Sequence, residues 1–493
     1  MHNLWTTQLI CCFLSPCRLP IHTTSTTQHA SSTTDTHRHY AYDKALRLLV
    51  QKSTVETTNT KEIYITIIKS SKALSVDEPL HDLITFNLTW CRSSVLRVAM
   101  IEVSSNREGT PVKIRVDHDV MAEAVAWAAR NLPSRPSVPI LAGLLIQAEG
   151  ETVTLSSFDY ETSAKVVIPA EVTEEGQALV SGKLLSEIAR TLPTLPVGIE
   201  ADETKAELTC GPARFTLQML PVAEYPGLPA MPPTAGKIDA DAFAKAVDQV
   251  VVAAGRDELL PIYTGVRVEL SHETLSLLST DRYRMALREM EWKPKSKNME
   301  SAAIVPARVL RETARSMATG GEITLSLSPN SMGDGLIGFE AGGRQLTTRL
   351  LDGEFPKFRH LLNVQANVSV RVKTEDIAAA TRRVKLVAER NTPLRMLISE
   401  ESISLDAATG DQAQASESLE AVVTNHVAGD MALIAAGFNP HYLEDALGAL
   451  STPYVLFSFT GTGQPCLLQG LSDIDGEPDT DYKHVIMLMR LPG

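Results

Sequence analysis

Three stretches of the chain share one pattern of apolar and polar positions. Residues 178–192, 303–317 and 432–450 each place an apolar run before a short turn and a segment with apolar residues three and four positions apart. This pattern predicts a strand followed by an amphipathic helix. The copies lie about 125–130 residues apart, which is too far for a solenoid repeat, so each marks a whole domain.

Each copy opens with another alternating run that leads into helical periodicity, and polar residues mark the predicted helix starts. We predict that Asp117 or Asp119, and Asp239 or Asp241, cap the helices in the first two copies, with Thr374 in the third. Short oxygen-bearing side chains at these positions accept hydrogen bonds from the free N–H groups of the first turn.

Short polar turns between strand-like runs predict β-hairpins in every copy. The predicted pairs are 144–148 with 152–156, 266–270 with 274–278, and 396–398 with 402–405. The fold class is therefore α+β, with helices on one side of antiparallel sheets in three tandem repeated domains. We place these domains at residues 112–234, 235–363 and 364–493.

The first 111 residues differ from the rest. No glycine precedes Gly109, and residues 22–39 are rich in Thr, Ser and His without helical or strand periodicity. We expect residues 1–111 to be disordered or poorly structured. We also expect Val112 to be the natural start, with residues 1–111 arising from translated upstream sequence.

Composition narrows the class of protein. The formal net charge of −13 disfavours a simple basic nucleic-acid binder. No apolar run reaches the ~18–20 residues of a membrane span, so no membrane association is expected. Only Cys210 and Cys466 lie after residue 111, which implies no disulfide framework and fits a reducing cytoplasm.

Cations nevertheless concentrate on predicted helices. Arg308, Arg311 and Arg315 lie three and four positions apart and share one helix face. Regularly spaced arginines suit contact with phosphates without base recognition, although a solvated face is the alternative for any one helix. The second predicted helix of the third repeat, at 439–450, differs because it carries Glu444 and Asp445 and no Lys or Arg.

Motifs that would indicate chemistry are weak. Residues 333–338 (GDGLIG) match a dinucleotide-binding spacing, but a strand-like run follows instead of a helix, so a hairpin turn is predicted. Acidic residues alternate over 473–481, but without the glycine and closing glutamate of a calcium loop. We expect no catalytic residue, no metal and no cofactor.

Five ordered segments carry a resemblance to a known family. They are SRPSVPIL (134–141), FTLQMLPVAEYP (215–226), STDRYRMA (279–286), DGEFPKF (352–358) and VIMLMRL (485–491). From residue 112 to 490 the chain resembles the bacterial β sliding clamp family, the processivity subunit of DNA polymerase III.

The resemblance implies a DNA-clamp fold and a head-to-tail homodimer closed as a six-domain ring around double-stranded DNA, with no chemistry of its own. A DNA polymerase or nucleotidyltransferase label would attach to such a protein only through its complex. The implied partners are the polymerase III alpha subunit, the clamp loader and other proteins with clamp-binding motifs. The residues expected to face DNA are Arg135, Arg190, Arg256, Arg308, Arg382 and Arg383.

The resemblance also implies a cleft for a short partner peptide between the second and third domains. Its expected residues are Thr280, Arg282, Tyr283, Arg284, Met285, Pro356, Leu361, Val485, Ile486, Met487, Leu488, Met489 and Arg490. Methionines suit such a cleft because thioether chains repack easily. Tyr263, His360 and Leu488 depart from the residues that are common in the family.

The implied subunit interface pairs an edge strand of one copy with the other copy. Its expected residues are Arg214, Phe215, Leu217, Leu386 and Glu417. Two other functional classes fit the sequence less well. A polymerase or nuclease with its own active site would need a cluster of acidic metal ligands, and none is recognisable in the sequence. A generic DNA-binding or scaffold protein would lack the segments that converge on one cleft.

Overall fold

A computed structural model divides the chain into two units, Met1–Ser105 and Asn106–Gly493. It describes the strands between 47 and 100, and residues 111–491 except 134, 319, 329–334, 390–391, 410–411, 429–434 and 462. Residues 1–46 and residues 333–334 of the GDGLIG motif lie outside this range.

The first unit contains one antiparallel sheet in the order β1-β2-β3-β4. Its strands are β1 Arg47–Thr57, β2 Thr60–Ser70, β3 Leu83–Trp90 and β4 Arg97–Met100. These strands lie within residues 1–111, which we expected to be disordered or poorly structured. Their sequences are rich in Ile, Val and Thr, which favour extended backbone, and β3 alternates apolar residues at 84, 86, 88 and 90 with polar residues between them.

The second unit repeats one order of elements three times. The first copy comprises β5 Val112–Val116, α1 His118–Ala129, β6 Gly143–Glu149, β7 Thr152–Phe158, β8 Thr162–Pro169, β9 Glu171–Glu174, β10 Gly176–Ser181, α2 Gly182–Ala189, β11 Val197–Ala201, β12 Lys205–Cys210 and β13 Ala213–Gln218. The second comprises β14 Thr234–Asp239, α3 Ala240–Val251, β15 Gly265–Ser271, β16 Thr274–Thr280, β17 Arg284–Glu291, β18 Lys293–Pro294, β19 Glu300–Pro306, α4 Ala307–Met317, β20 Glu322–Leu327, β21 Leu336–Ala341 and β22 Arg344–Arg349.

The third copy follows the same order. It comprises β23 Val368–Lys373, α5 Thr374–Val384, β24 Leu394–Ile398, β25 Ser402–Thr409, β26 Ala413–Glu420, β27 Val422–Asn425, β28 Ala435–Phe438, α6 Pro440–Ala449, β29 Tyr454–Phe459, β30 Pro465–Leu471 and β31 Tyr482–Met487. Short 3-10 helices lie at Pro139–Ala142, Val222–Glu224, Pro261–Thr264, Arg359–Leu362 and Lys385–Val387. The predicted strand–helix repeats and hairpins are confirmed.

Helix caps agree with the sequence in two copies. The Asp117 carboxylate accepts hydrogen bonds from the N–H groups of Asp119 and Val120, and Asp239 accepts one from Ala242. The prediction of Thr374 as a cap is wrong. Strand β23 continues to Lys373, and Thr374 is the first residue of α5.

Sheets cross the junctions between repeats. One nine-stranded sheet runs β10-β6-β7-β8-β22-β21-β20-β14-β18, and another runs β19-β15-β16-β17-β31-β30-β29-β23-β27. In each, four strands of one repeat join five strands of the next through an antiparallel edge pair, β8 with β22 and β17 with β31. A five-stranded sheet ending at β13 and a four-stranded sheet ending at β26 remain.

Candidate nucleic-acid and partner interfaces

The six helices of the described residues pack as three pairs, α1 with α2, α3 with α4, and α5 with α6. Most of their apolar residues are buried against the sheets, which leaves mainly polar residues on the outer side. The side chain of Arg308 in α4 is 84% exposed and pairs with Glu312 one turn along its own helix.

The shared face of three arginines is only partly free. Asp248 of α3 accepts hydrogen bonds from both Arg311 and Arg315, at 2.9 and 3.0 Å from their Nε atoms. One carboxylate therefore offsets part of the positive charge of α4. Arg308 is left pointing outward, while the other two guanidinium groups tie α4 to α3.

The remaining predicted DNA-facing residues fall in three settings. Arg190 and Arg382 are exposed at helix ends and donate to carbonyl groups of their own helices, and Arg135 is exposed in the segment after α1. Arg383 makes a two-pronged ion pair with Glu417 of β26, which lowers the pKa of that carboxyl group. Arg256 lines a cavity instead, described below.

The segment 280–284 forms a tight turn before β17. Asp281 accepts hydrogen bonds from the N–H groups of Tyr283 and Arg284, both at 3.0 Å, and Thr280 is buried and donates to the Arg284 carbonyl group. Arg282 has φ +82°, a left-handed conformation that non-glycine residues rarely adopt. Its guanidinium group lies 5.7 Å from the ring centres of both Tyr263 and Tyr283.

Beside this turn the second and third repeats enclose a cavity of about 560 Å³. Its lining residues are Ala254, Gly255, Arg256, Asp257, Leu260, Tyr263, Asp281, Arg282, Tyr283, Arg284, Asn439, His441, Tyr442 and Asp445. Sequence reasoning missed the contribution of α6, although the lack of cations in that helix was a signal. Its two acidic residues are engaged, Glu444 by Lys385 and Asp445 by Arg284.

Apolar residues of the expected cleft gather next to the same turn. Met285, Leu361 and Val485 belong to one cluster with Phe355 and Leu467. Ile486, which was expected in the cleft, is fully buried in the separate core of the third repeat. Successive side chains of a strand point to opposite faces, so Val485 and Ile486 cannot both face one cleft.

The last residues of the chain attach to both repeats. The Met487 N–H donates to the Tyr283 carbonyl group, and the Met489 N–H donates to the Gly437 carbonyl group, each at 2.8 Å. Pro356 and Leu488 are half-buried and Arg490 is exposed. Leu488 packs against the third-repeat core, so the segment that follows β31 borders the cleft with one side only.

A buried polar pair lies under the junction of β17 with β31. The Tyr482 hydroxyl group donates to the Gln249 carbonyl group at 3.2 Å and lies 2.9 Å from Nδ1 of His484. Burial, with a smaller contribution from Arg284, lowers the pKa of His484 to about 3, and burial raises the pKa of Tyr482. His484 is therefore neutral at physiological pH.

The predicted subunit-interface residues lie on or beside the two sheet edges. Within the described residues β13 pairs with β12 alone and β26 pairs with β25 alone, and Met219, just after β13, makes one isolated bridge to Val180. Arg214 is exposed, Phe215 is half-buried, and Leu386 beside β26 is 81% exposed. Leu217 is only 4% exposed and belongs to the core of its own repeat.

The remaining motifs acquire plain structural explanations. Strands β20 and β21 pair as the predicted hairpin, and residues 336–338 of the motif are the first three residues of β21. In the acidic segment, Asp479 and Asp481 lie 3.6 and 3.9 Å from Arg288. Across the described residues no group of three His, Cys, Asp or Glu side chains could hold a metal ion, and no helix has the length and apolarity needed to cross a membrane.

Comparisons with known proteins agree on one family. Models of the N-terminal, central and C-terminal domains of the DNA polymerase III beta subunit match residues 112–229, 237–357 and 359–490. The beta sliding clamp of Streptomyces coelicolor is 48% identical over 382 residues, covering 78% of this chain and 100% of that protein. The beta sliding clamp of Micrococcus luteus is 47% identical over 308 residues, covering 62% and 98%.

Solved structures share the fold. The DNA polymerase sliding clamp of Bacillus subtilis has a TM-score of 0.71 at 24% identity and covers 78% of this chain and 100% of that chain. A Pseudomonas aeruginosa sliding clamp bound to griselimycin has a TM-score of 0.70 at 23% identity, with 77% and 100% covered. The chain belongs to the DNA polymerase III beta subunit family, the sliding clamps that serve the polymerase as processivity factors and are not catalytic enzymes.

Proposed function

We propose that two copies of this chain join head to tail as a six-domain ring that encircles duplex DNA and tethers the replicative polymerase. The observation that carries the proposal is the division of the sheets. Two junctions inside the chain each join four strands to five, and the two sheets left over have five and four strands. Pairing β13 of one copy with β26 of another completes a third nine-stranded sheet and removes both open edges.

The internal junctions supply a register for this pairing. Thr162, the first residue of β8, lies opposite Thr348, the fifth residue of β22. Arg284, the first residue of β17, likewise lies opposite Ile486, the fifth residue of β31. The same rule sets Ala413 of β26 opposite Leu217 of β13.

The burial of the two edges supports that register. Counting from Ala413 and Leu217, Ala415 meets Phe215 and Gln414 meets Thr216. Phe215 and Ala415 are both half-buried, and Thr216 and Gln414 are both exposed. A shift by one residue would set each buried or half-buried side chain of one strand opposite an exposed side chain of the other. The two edges are therefore complementary in side-chain orientation as well as in strand number.

The helix pairs are proposed to face the DNA. Exposed arginines such as Arg190, Arg308 and Arg382 would contact phosphates weakly and without base recognition, which permits sliding. Topology, and not affinity, would then hold the ring on DNA. The net charge of −13 disfavours DNA binding at other surfaces.

The cavity between the second and third repeats, with the adjoining apolar cluster, is proposed to bind partner segments. Tyr283 is exposed and Leu361 is half-buried there, Met285 and Val485 are buried in the cluster beside them, and Met487 and Met489 are half-buried at its border. The partners are the polymerase III alpha subunit, the clamp loader and other proteins with clamp-binding motifs. The cytoplasm is the proposed location, consistent with Cys210 and Cys466 as buried free thiols.

Retention on circular DNA tests the proposal. A clamp loader loads the protein onto nicked circular duplex DNA, and gel filtration separates the complex from free protein. A restriction enzyme then linearises the DNA. Release on linearisation, with stable retention on the circle, is the expected result. Equal loss from circular and linear DNA would instead indicate a generic DNA-binding protein. An inactive restriction enzyme serves as the control.

A further inference from the structure

The turn beside the cavity has a counterpart in the first repeat, but the two turns end in different residues. In the first repeat Asp159 accepts hydrogen bonds from the N–H groups of Glu161 and Thr162, and Tyr160, the residue after Asp159, has φ +73°. The turn at 281–284 has the same hydrogen bonds and the same left-handed residue. Thr162 ends the first turn, whereas Arg284 ends the second.

Arg284 extends from this turn into the neighbouring repeat. Its Nε donates to Asp281 at 3.0 Å, and its Nη1 donates to Asp445 of α6 at 2.6 Å. The guanidinium group also lies 4.4 Å from the ring centre of Tyr442, within the range of a cation–π contact. One side chain therefore joins the second-repeat turn to two residues of the third-repeat helix.

The burial of Arg284 argues against a direct role in contacting a ligand. Its side chain is 5% exposed, and both of its carboxylate contacts are made within the chain. Thr162, at the matching position of the first repeat, bonds instead to the Thr348 hydroxyl group across the β8–β22 pair. Counting from the helix starts, Glu312 of α4 matches Asp445, and Glu312 pairs with Arg308 of its own helix.

We propose that Arg284 is a positioning residue that fixes the shape of the cavity by holding the 281–284 turn against α6. This inference rests on the proposed function of the cavity as a partner site. The turn would set the directions of Arg282 and Tyr283, which do face the cavity. A planar guanidinium group can bond two carboxylates in fixed directions, and a lysine ammonium group cannot reproduce that geometry.

The test compares two acidic residues that are adjacent on α6. Asp445→Asn removes the negative charge from the link between repeats, and Glu444→Gln removes the negative charge from an ion pair within the third repeat. Affinity for the purified polymerase III alpha subunit of the same organism is measured by surface plasmon resonance. We expect Asp445→Asn and Arg284→Lys to weaken binding about tenfold, as loss of one charge-assisted hydrogen bond implies, with Glu444→Gln unchanged.

Three further measurements separate the possible outcomes. Unfolding temperature and oligomeric mass are recorded for every variant, and Tyr442→Leu tests the ring contact without altering an ion pair. Asp445→Glu, which keeps the charge, should restore most of the affinity. Unchanged affinity in Asp445→Asn and Arg284→Lys, or an equal loss in Glu444→Gln, would overturn the inference. Failure of the unmodified protein to bind the alpha subunit would instead contradict the proposed function.

Discussion

A pair of engineered cysteines tests the proposed joint between copies. The register places Thr216 of β13 opposite Gln414 of β26, and both side chains are exposed on the same face. Directly opposite residues of antiparallel strands have Cα atoms about 4.5–5.5 Å apart. A disulfide spans Cα separations of about 4.4–6.8 Å. Thr216→Cys combined with Gln414→Cys should therefore cross-link two copies at both joints.

Neighbouring pairs give matched controls for this experiment. Thr216→Cys with Ser416→Cys is a diagonal pair about 7–8 Å apart, beyond the disulfide range. Thr216→Cys with Ala415→Cys joins residues on opposite faces. The single variants control for the six native cysteines, of which Cys210 and Cys466 are buried.

Mild oxidation followed by non-reducing electrophoresis and mass measurement gives the readout. The expected product is a covalent dimer from the directly opposite pair, with little from the controls. Cross-linking that is strongest for either control pair would refute the register. Absence of any dimer, at protein concentrations where the unmodified protein has a dimer mass, would refute the edge pairing itself.

Three other changes have specific expected outcomes. Arg308→Ala should reduce the slope of the logarithm of the DNA-binding constant against the logarithm of salt concentration by about one unit per subunit, as measured by fluorescence anisotropy. Arg315→Ala should not change this slope, because Asp248 already holds the Arg315 guanidinium group. Equal effects of the two substitutions would contradict the prediction. Below pH 6.5 the unfolded chain binds a proton at His484 that the folded chain excludes down to about pH 3, so folding stability falls as pH falls, by about 2 kcal/mol at pH 5. In chemical denaturation, His484→Gln should lose this part of the pH dependence, and an unchanged slope would refute the explanation. Deleting residues 487–493 should abolish alpha-subunit binding while the dimer mass is kept, because Met487 and Met489 tie this segment to both repeats; unchanged polymerase processivity would contradict the cleft.

Much of the fold could be predicted because its signals are local. Strand alternation, helical periodicity and the capping carboxylates of Asp117 and Asp239 are each contained within a few residues. The hairpins and the threefold repeat follow from the same signals. The N-terminal strands were missed although β3 alternates apolar residues at 84, 86, 88 and 90 with polar residues at 85, 87 and 89. The prediction for residues 1–111 extended the irregular Thr, Ser and His-rich composition of residues 22–39 to the whole segment.

The sites could be predicted only as far as single segments carry them. The 280–285 turn and Val485 were predicted as parts of one cleft, and Met285 does lie opposite Val485. Tyr442 and Asp445 were not predicted beside them, because their contacts with Arg284 join residues about 160 positions apart. In the same way Arg311 and Arg315 form a free cationic face in a helical projection. Their pairing with Asp248 depends on how α3 packs on α4, which periodicity does not encode.

The proposed β13–β26 joint is equivalent to the two strand junctions inside the chain, so the subunit boundary would depend only on where the backbone is interrupted. A circularly permuted chain could begin at β14, continue through the third repeat, and reach the first repeat through a new linker. Its β13–β26 junction would then lie within one polypeptide, and β8 and β22 would become the free edges. The assembled ring would keep its shape and its helices, but the place at which it separates into halves would move by one domain.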